Sequence, residues 1–202
     1  MNVALPNLEA PATIILHPER KPTDEEYFAF CEANPELRVE RTARGEIVIV
    51  PPAGLESSYR NNDLSTQLTT WARKDGRGKV FDSSAQYFLP DGAALSPDAS
   101  WVSDTRIAQL DKKERRRFPR TCPEFIVEVM SPSDRLSAAQ AKMEEWMANG
   151  VQLGWLIYGD ARTVYIYRPG QPVEAKNGVT ELAGEGPVEG FTLDLTEIWA
   201  GL

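Results

Sequence analysis

The chain is poor in the residues that most often carry nucleophilic or metal chemistry: its 202 residues include two cysteines and one histidine. Cys31 and Cys122 stand far apart with no CxxC spacing, which argues against a disulfide framework and against a zinc site. They read as isolated thiols. His17, alone in a proline-flanked N-terminal stretch, gives no basis for a His-activated nucleophile or a His-rich metal site. No apolar run approaches the ~18 residues of a membrane span. No basic segment with an apolar core and a small-residue cleavage site opens the sequence. The expected setting is therefore the cytoplasm, away from membranes. Excess positive charge is missing as well: 22 Lys and Arg against 30 Asp and Glu leave −8. That balance is wrong for a protein that coats nucleic acid by bulk charge. What remains is chemistry run on carboxylates and lysine.

The length suits one domain, able to bury roughly 70% of the surface an unfolded chain exposes. There is no internal repeat and no low-complexity tract. The proline-rich opening, residues 1–22, reads as a loosely docked arm, and residues 23–202 as a single domain. Thr23 followed by Glu26 is a capping-box pattern, and Tyr27, Phe28 and Cys31 at helical spacing predict a short helix ending before Pro35. "LRVERTARGEIVIVPP" predicts two strands around a turn at Ala43 to Gly45. Tyr59, Leu64, Leu68 and Trp71 predict an amphipathic helix from Glu56 to about Lys74. "GKVFDS", "AQYFLPDG" and the stretch from Pro97 are strand candidates, followed by a helix over Asp104 to Arg117. "EFIVEVM" is a strand by its length and branched residues. The next helix should be capped by Ser133 or Asp134 and end before Gly150. "QLGWLIY" and "TVYIYRP" around Gly159-Asp160 predict a hairpin, and "GFTLDLTEIW" a strand with a last helical turn. This alternation predicts an α/β fold: a mixed β-sheet flanked by helices, with an N-terminal helix and β-hairpin.

The informative residue is Glu128, in the middle of an otherwise apolar strand. Side chains alternate along a strand, so Phe125, Val127 and Val129 share one face while Ile126, Glu128 and Met130 share the other. A carboxylate among apolar neighbours needs a cation, a metal or strong donors, or it stays protonated. Asp98, after Pro97, opens the preceding strand. If the two strands are neighbours, both acids can hold one hard divalent cation, since Mg²⁺ takes one or two carboxylates with water and phosphate oxygens. Lys142 is the third component. At ~100° per residue, Leu136, Ala139, Met143, Trp146 and Met147 share a helix face, with Lys142 about 40° from Trp146 at its margin. Its stem can run along packed surface and deliver the ammonium to a site at the sheet edge. Glu56 reads as a helix-start glutamate favoured by the dipole. Asp111 to Arg120, "DKKERRRFPR", reads as a solvated polar segment rather than a phosphate-contacting patch. Trp101, Trp155 and Tyr165 read as core residues rather than base-stacking platforms.

Pro97-Asp98, Glu128 one strand later, then a helix and another strand, resembles the PD-(D/E)XK nuclease superfamily. More narrowly, "SPDASWVS", "CPEFIVEVMSPSDRL", "QAKMEEWMANGVQLGWLI" and "RTVYIYRPGQPVE" are similar to the Uma-type family of restriction-endonuclease-like proteins. The likeness runs from about Thr23 to Trp199. It implies a restriction-endonuclease-like core and a metal-dependent phosphodiesterase acting on DNA. Asp98 and Glu128 would be ligands of Mg²⁺, or Mn²⁺ in its place, with a lysine assisting the nucleophile. Met130 stands where the superfamily places that lysine. The Uma-type family carries its lysine on the following helix, which matches Lys142. The alternative implied by Met130 and by the acidic charge is a catalytically silent nuclease fold serving as a binding or regulatory module. A homodimer is a further expectation, because exposed strand edges offer a docking surface and cutting both strands of DNA calls for two active sites.

Overall fold

The computed structural model describes residues 14–202. The predicted arm over 1–22 therefore lies partly outside the described residues; within them, Ile14–Leu16 forms strand β1, paired antiparallel with β3 (Ile47–Val50). That pairing was invisible in sequence because three apolar residues carry no usable period.

Two sheets organise the molecule. The five-stranded sheet runs in the order β1-β3-β2-β6-β5, with β2 at Arg38–Arg41, β5 at Tyr87–Phe88 and β6 at Ala94–Leu95. Helix α1 (Asp24–Ala33) packs on it through Tyr27, which meets Val39, Ile47, Phe88 and Ala94. Its start is the predicted capping box: Thr23 accepts from the Glu26 N–H, and the Glu26 carboxylate accepts from the Thr23 N–H.

The six-stranded sheet runs β11-β10-β9-β8-β7-β4, with β4 at Gly78–Asp82, β7 at Ala99–Ser103, β8 at Phe125–Val129, β9 at Leu153–Tyr158, β10 at Thr163–Tyr167 and β11 at Glu174–Asn177. β8 and β9 are parallel and the other pairs antiparallel, so the sheet is mixed as expected. The parallel pair is joined by α4 (Leu136–Ala148), the crossover that parallel neighbours require.

The faces of β8 separate as alternation demands. Phe125, Val127 and Val129 join the core under α2 (Leu55–Asp75), together with Leu64, Leu68, Trp155 and Phe191. The ribbon of β12 (Glu181–Ala183) and β13 (Thr192–Asp194) and helix α5 (Thr196–Ala200) close that side. Ile126 and Met130 face the other way, against Met143 and Trp146 of α4. Gly154 lets α4 approach β9: a Cβ there would lie 2.6 Å from the Met143 methyl.

Trp101 and Trp155 are core residues as read, and Tyr165 packs partly buried at the α4 side. Two predicted boundaries differ. The helix expected over Asp104 to Arg117 is α3 (Asp104–Gln109) followed by a separate 3₁₀ turn at Glu114–Arg116. Leu110 is extended, and the Asp111 side chain takes the N–H groups of Lys113 and Glu114, competing with helix continuation. Helix α4 begins at Leu136 without a side-chain cap, because the Asp134 carboxylate instead accepts from the Ser131 N–H. Gly150, with φ +107, follows its end.

Candidate functional site

β7 and β8 are antiparallel neighbours, with Ala99 opposite Val127. Carried one residue further, that register sets Asp98 level with Glu128. The Asp98 carboxylate accepts from the Val129 N–H at 2.7 Å and from Asn61 Nδ2 on α2 at 2.8 Å. Burial pushes its pKa up, against the opposing pull of the Val129 N–H and the Lys142 charge.

Glu128 is 9% exposed and enters the apolar layer between β8 and α4. Its Oε1 accepts from Trp146 Nε1 at 2.9 Å and lies 3.0 Å from Lys142 Nζ. Trp146 is fully buried and Lys142 is one turn earlier on the same helix margin, so α4 supplies both donors. Burial raises the Glu128 pKa, with Lys142 opposing. For Lys142 burial acts downward, but the charges of Glu128 and Glu40 outweigh it and its pKa rises. Lys142 is therefore an ammonium, held against acids.

The sequence prediction brought together Asp98, Glu128 and Lys142, and the structure assembles all three. It adds Glu40, on β2 of the other sheet. Lys142 Nζ donates to Glu40 Oε1 at 2.9 Å and to the Ser96 carbonyl at 3.1 Å; the Ser96 N–H donates back to Glu40 Oε1 at 3.0 Å. Asn61, Ser96 and Trp146 are further members that sequence reasoning missed. Met130, at the superfamily's lysine position, is 3% exposed in the apolar core and its N–H bonds the Ile157 carbonyl. A lysine there would have to bury its charge.

Other acids and bases lie elsewhere. Glu56 pairs with the buried Arg60 at 2.8 Å, and His17 Nδ1 lies 3.4 Å from Glu46. In the basic run, Arg120 pairs with Asp24 and Glu25 of α1, and Arg117 stacks 4.7 Å from the Phe28 ring centre. Both cysteines are free thiols.

Among the described residues, no group of three or more His, Cys, Asp or Glu side chains is placed to hold a metal ion. The donor set suits a hard cation that keeps most of its water, as Mg²⁺ does with one or two carboxylates. Asp98 and Glu128 would be those carboxylates, and Asn61 would add an amide oxygen: its Nδ2 is spent on Asp98, while its Oδ1 is buried with no partner.

The family described as "Uma2: Putative restriction endonuclease" matches residues 24–196. The chain belongs to the Uma2 family. No curated protein matches it. Its fold is also that of a solved protein described as "a putative nuclease belonging to DUF820 from Anabaena variabilis ATCC 29413". That likeness has a TM-score of 0.68 at 19% identity, over 82% of this chain and 91% of that one. A DrdV–DNA complex resembles 60% of this Uma2 chain over 12% of its own length, at 12% identity and a TM-score of 0.36, too low to carry an argument.

Glu40 had no readable signal. "RVER" alternates, which buries Val39 and Arg41 and turns Glu40 the other way, but a strand pattern does not disclose which element meets its second face.

Proposed function

We propose that the protein is a metal-dependent endonuclease that hydrolyses DNA phosphodiester bonds, with Asp98 and Glu128 holding Mg²⁺ or Mn²⁺ and Lys142 acting beside them. The observation that carries this reading is a pair of desolvated carboxyls brought level on neighbouring strands, Asp98 and Glu128, with the Lys142 ammonium 3.0 Å from Glu128, in a chain of the Uma2 family. Removing ionised side chains from water is costly, so such a group counts against stability unless something offsets it.

A divalent cation, when bound, supplies positive charge against the phosphate oxygens. Asp98 is aimed by Asn61 and the Val129 N–H, so its carboxylate is fixed before a ligand arrives. Glu128 is held by Trp146. Lys142 keeps its proton and directs an N–H toward the acids, where it can orient an attacking water and stabilise negative charge developing on phosphorus. In the step itself, water forms a bond to phosphorus, the bond to the 3′ oxygen breaks, that oxygen takes a proton, and the water's proton is lost to solvent. The 5′ phosphate and 3′ hydroxyl remain.

The test is incubation with plasmid and single-stranded DNA across Mg²⁺ and Mn²⁺ concentrations. Metal-dependent cleavage, lost on chelation, is the expected result. No cleavage of either substrate, with no heat of metal binding, would overturn the reading and favour the alternative of a silent binding module. A specific observation favours that alternative: Lys142 pairs directly with Glu128, as in a purely structural ion pair.

The same reading includes residues 23–202 as one domain, a cytoplasmic setting and a homodimer. No helix among the described residues is long and apolar enough to cross a membrane. The dimer is supported by Ile14, Ile15 and Leu16, which are 42–48% exposed on β1. Light scattering at micromolar concentration should give twice the chain mass; a monomer removes the idea.

A further inference from the structure

Glu40 sits on a different sheet from Glu128, with Asp98 in the segment that joins the two sheets, yet Glu40 meets the same ammonium as Glu128. One of its oxygens receives both Lys142 Nζ, at 2.9 Å, and the Ser96 N–H, at 3.0 Å. Ser96 is two residues before Asp98, and its carbonyl accepts from Lys142 at 3.1 Å. The Glu40 carboxylate, 15% exposed, therefore ties three pieces of the site: β2, the segment that carries Asp98, and α4. Lys142 stands between two acids at nearly equal range, with Glu128 at 3.0 Å.

The charges give this arrangement a meaning. Asp98, Glu128 and Lys142 alone would leave one negative charge, half of what a divalent cation neutralises, and Lys142 would compete with the metal for Glu128. With Glu40 included, three carboxylates and one ammonium leave two negative charges. Arg38, on the same face of β2 as Glu40, is exposed and bonds the Ser83 carbonyl at 3.4 Å. Its charge acts on Asp98 from the solvent side, where water and salt screen it.

We infer that Glu40 is a positioning residue: it is the counter-ion of Lys142, and by taking up the ammonium it leaves Glu128 and Asp98 free to bind a divalent metal. The inference rests on the metal-site reading above and deepens it. Glu40 is not a ligand in this account; it acts through Lys142. The site is consequently incomplete without the five-stranded sheet.

The experiment is Mn²⁺ titration by calorimetry on the full chain, with melting of the metal-free forms alongside. Glu40→Gln keeps the size of the side chain and an oxygen that can accept from Lys142, but removes the charge. It should weaken Mn²⁺ binding by at least about tenfold, the scale of one charge a few ångströms from a divalent ion in a water-like dielectric. Adding Lys142→Met to it should return affinity to within about threefold of the wild type, because the site again carries two negative charges. Restoration of affinity by a second deletion is a result that a merely structural role does not produce. Unchanged affinity in Glu40→Gln overturns the inference. So does a double variant that stays weak, which would make Glu40 itself a ligand. If Glu40→Gln does not melt cooperatively, the comparison moves to Lys142→Met and the double variant, which leaves no ammonium without its partner. Because Glu40 acts through Lys142, the double variant should then bind within about threefold of Lys142→Met, and a double variant about tenfold weaker would make Glu40 itself a ligand and overturn the role. A wild type that binds no Mn²⁺ removes the metal-site reading, and this inference with it. A wild type that binds Mn²⁺ equally well with or without the Glu40 charge removes this inference alone.

Discussion

Glu128 and Lys142 respond differently to removal, because each is left with different neighbours. In Glu128→Gln a desolvated carboxylate disappears, while Lys142 retains Glu40 and the Ser96 carbonyl as partners. The metal-free fold should lose less than about 1 kcal/mol, while cleavage and metal affinity collapse. In Lys142→Met, Glu40 and Glu128 both lose their cation, and the metal-free fold should lose about 3 kcal/mol, recovered in part when Mg²⁺ is added. An ordinary surface lysine would move the melting point by no more than ~0.5 kcal/mol. Melting curves of both variants with and without Mg²⁺, run with a cleavage assay, check this. Stability unmoved in Lys142→Met with cleavage intact would mean that the lysine sits outside the chemistry. These residues were legible in sequence for local reasons: strand alternation isolates Glu128 among apolar neighbours, and a 100° helical step puts Lys142 near Trp146. Glu40 was not legible, because its partners lie on other elements far along the chain. Asn61 was equally hidden, one polar residue among many on α2.

Elements with caps or strict periods were readable to within a residue or two, and those limited by side-chain competition were not. The capping box starts α1 where Thr23 and Glu26 indicate, and a cap of this kind contributes about 1 kcal/mol. The apparent helix over Asp104 to Arg117 breaks because Asp111 captures backbone N–H groups that the sequence alone assigns to helix. α1 is fastened to the sheet by Asp24, which meets the fully buried Arg41 at 2.5 Å and Arg120 at 2.8 Å. Burial acts to raise the Asp24 pKa, but the hydrogen bonds from Arg41 and Arg120 outweigh it and hold the carboxyl below its ordinary 3.8. A depressed acid stabilises the fold above its unfolded pKa, and that contribution disappears as pH falls through the folded value. Melting temperature should therefore drop below about pH 4. Asp24→Asn should flatten that acid slope without abolishing it, since Glu25 and Glu26 are also depressed by arginines. At pH 7 the same substitution should cost about 2 kcal/mol, because Arg41 loses its charged partner. Thermal melts from pH 3 to 7 on both proteins measure both effects. An unchanged slope would mean that Asp24 carries no proton-linked stability.

For the molecule as a whole, the mixed sheet with helices on both faces followed from the alternation of strands and helices after Glu56. The division into two sheets did not follow. β5 and β6 are two residues each, and β2 pairs with β6 through the single residue pair Arg41 and Ala94. Such short contacts leave no pattern, and the second sheet is defined by packing against α1 rather than by strand length. The site's charged groups come from both sheets and from α4, with Glu40 and Lys142 separated by 102 residues of chain. Closing so long a loop is entropically unfavourable until nearby surfaces have docked, so this contact belongs to the last stage of folding. In a stopped-flow chevron, Glu40→Gln should then steepen nothing on the refolding limb and slow it little, while the chain unfolds several-fold faster. The charged cluster would thus act as a latch on the finished fold, setting how long the molecule stays folded rather than how quickly it gets there.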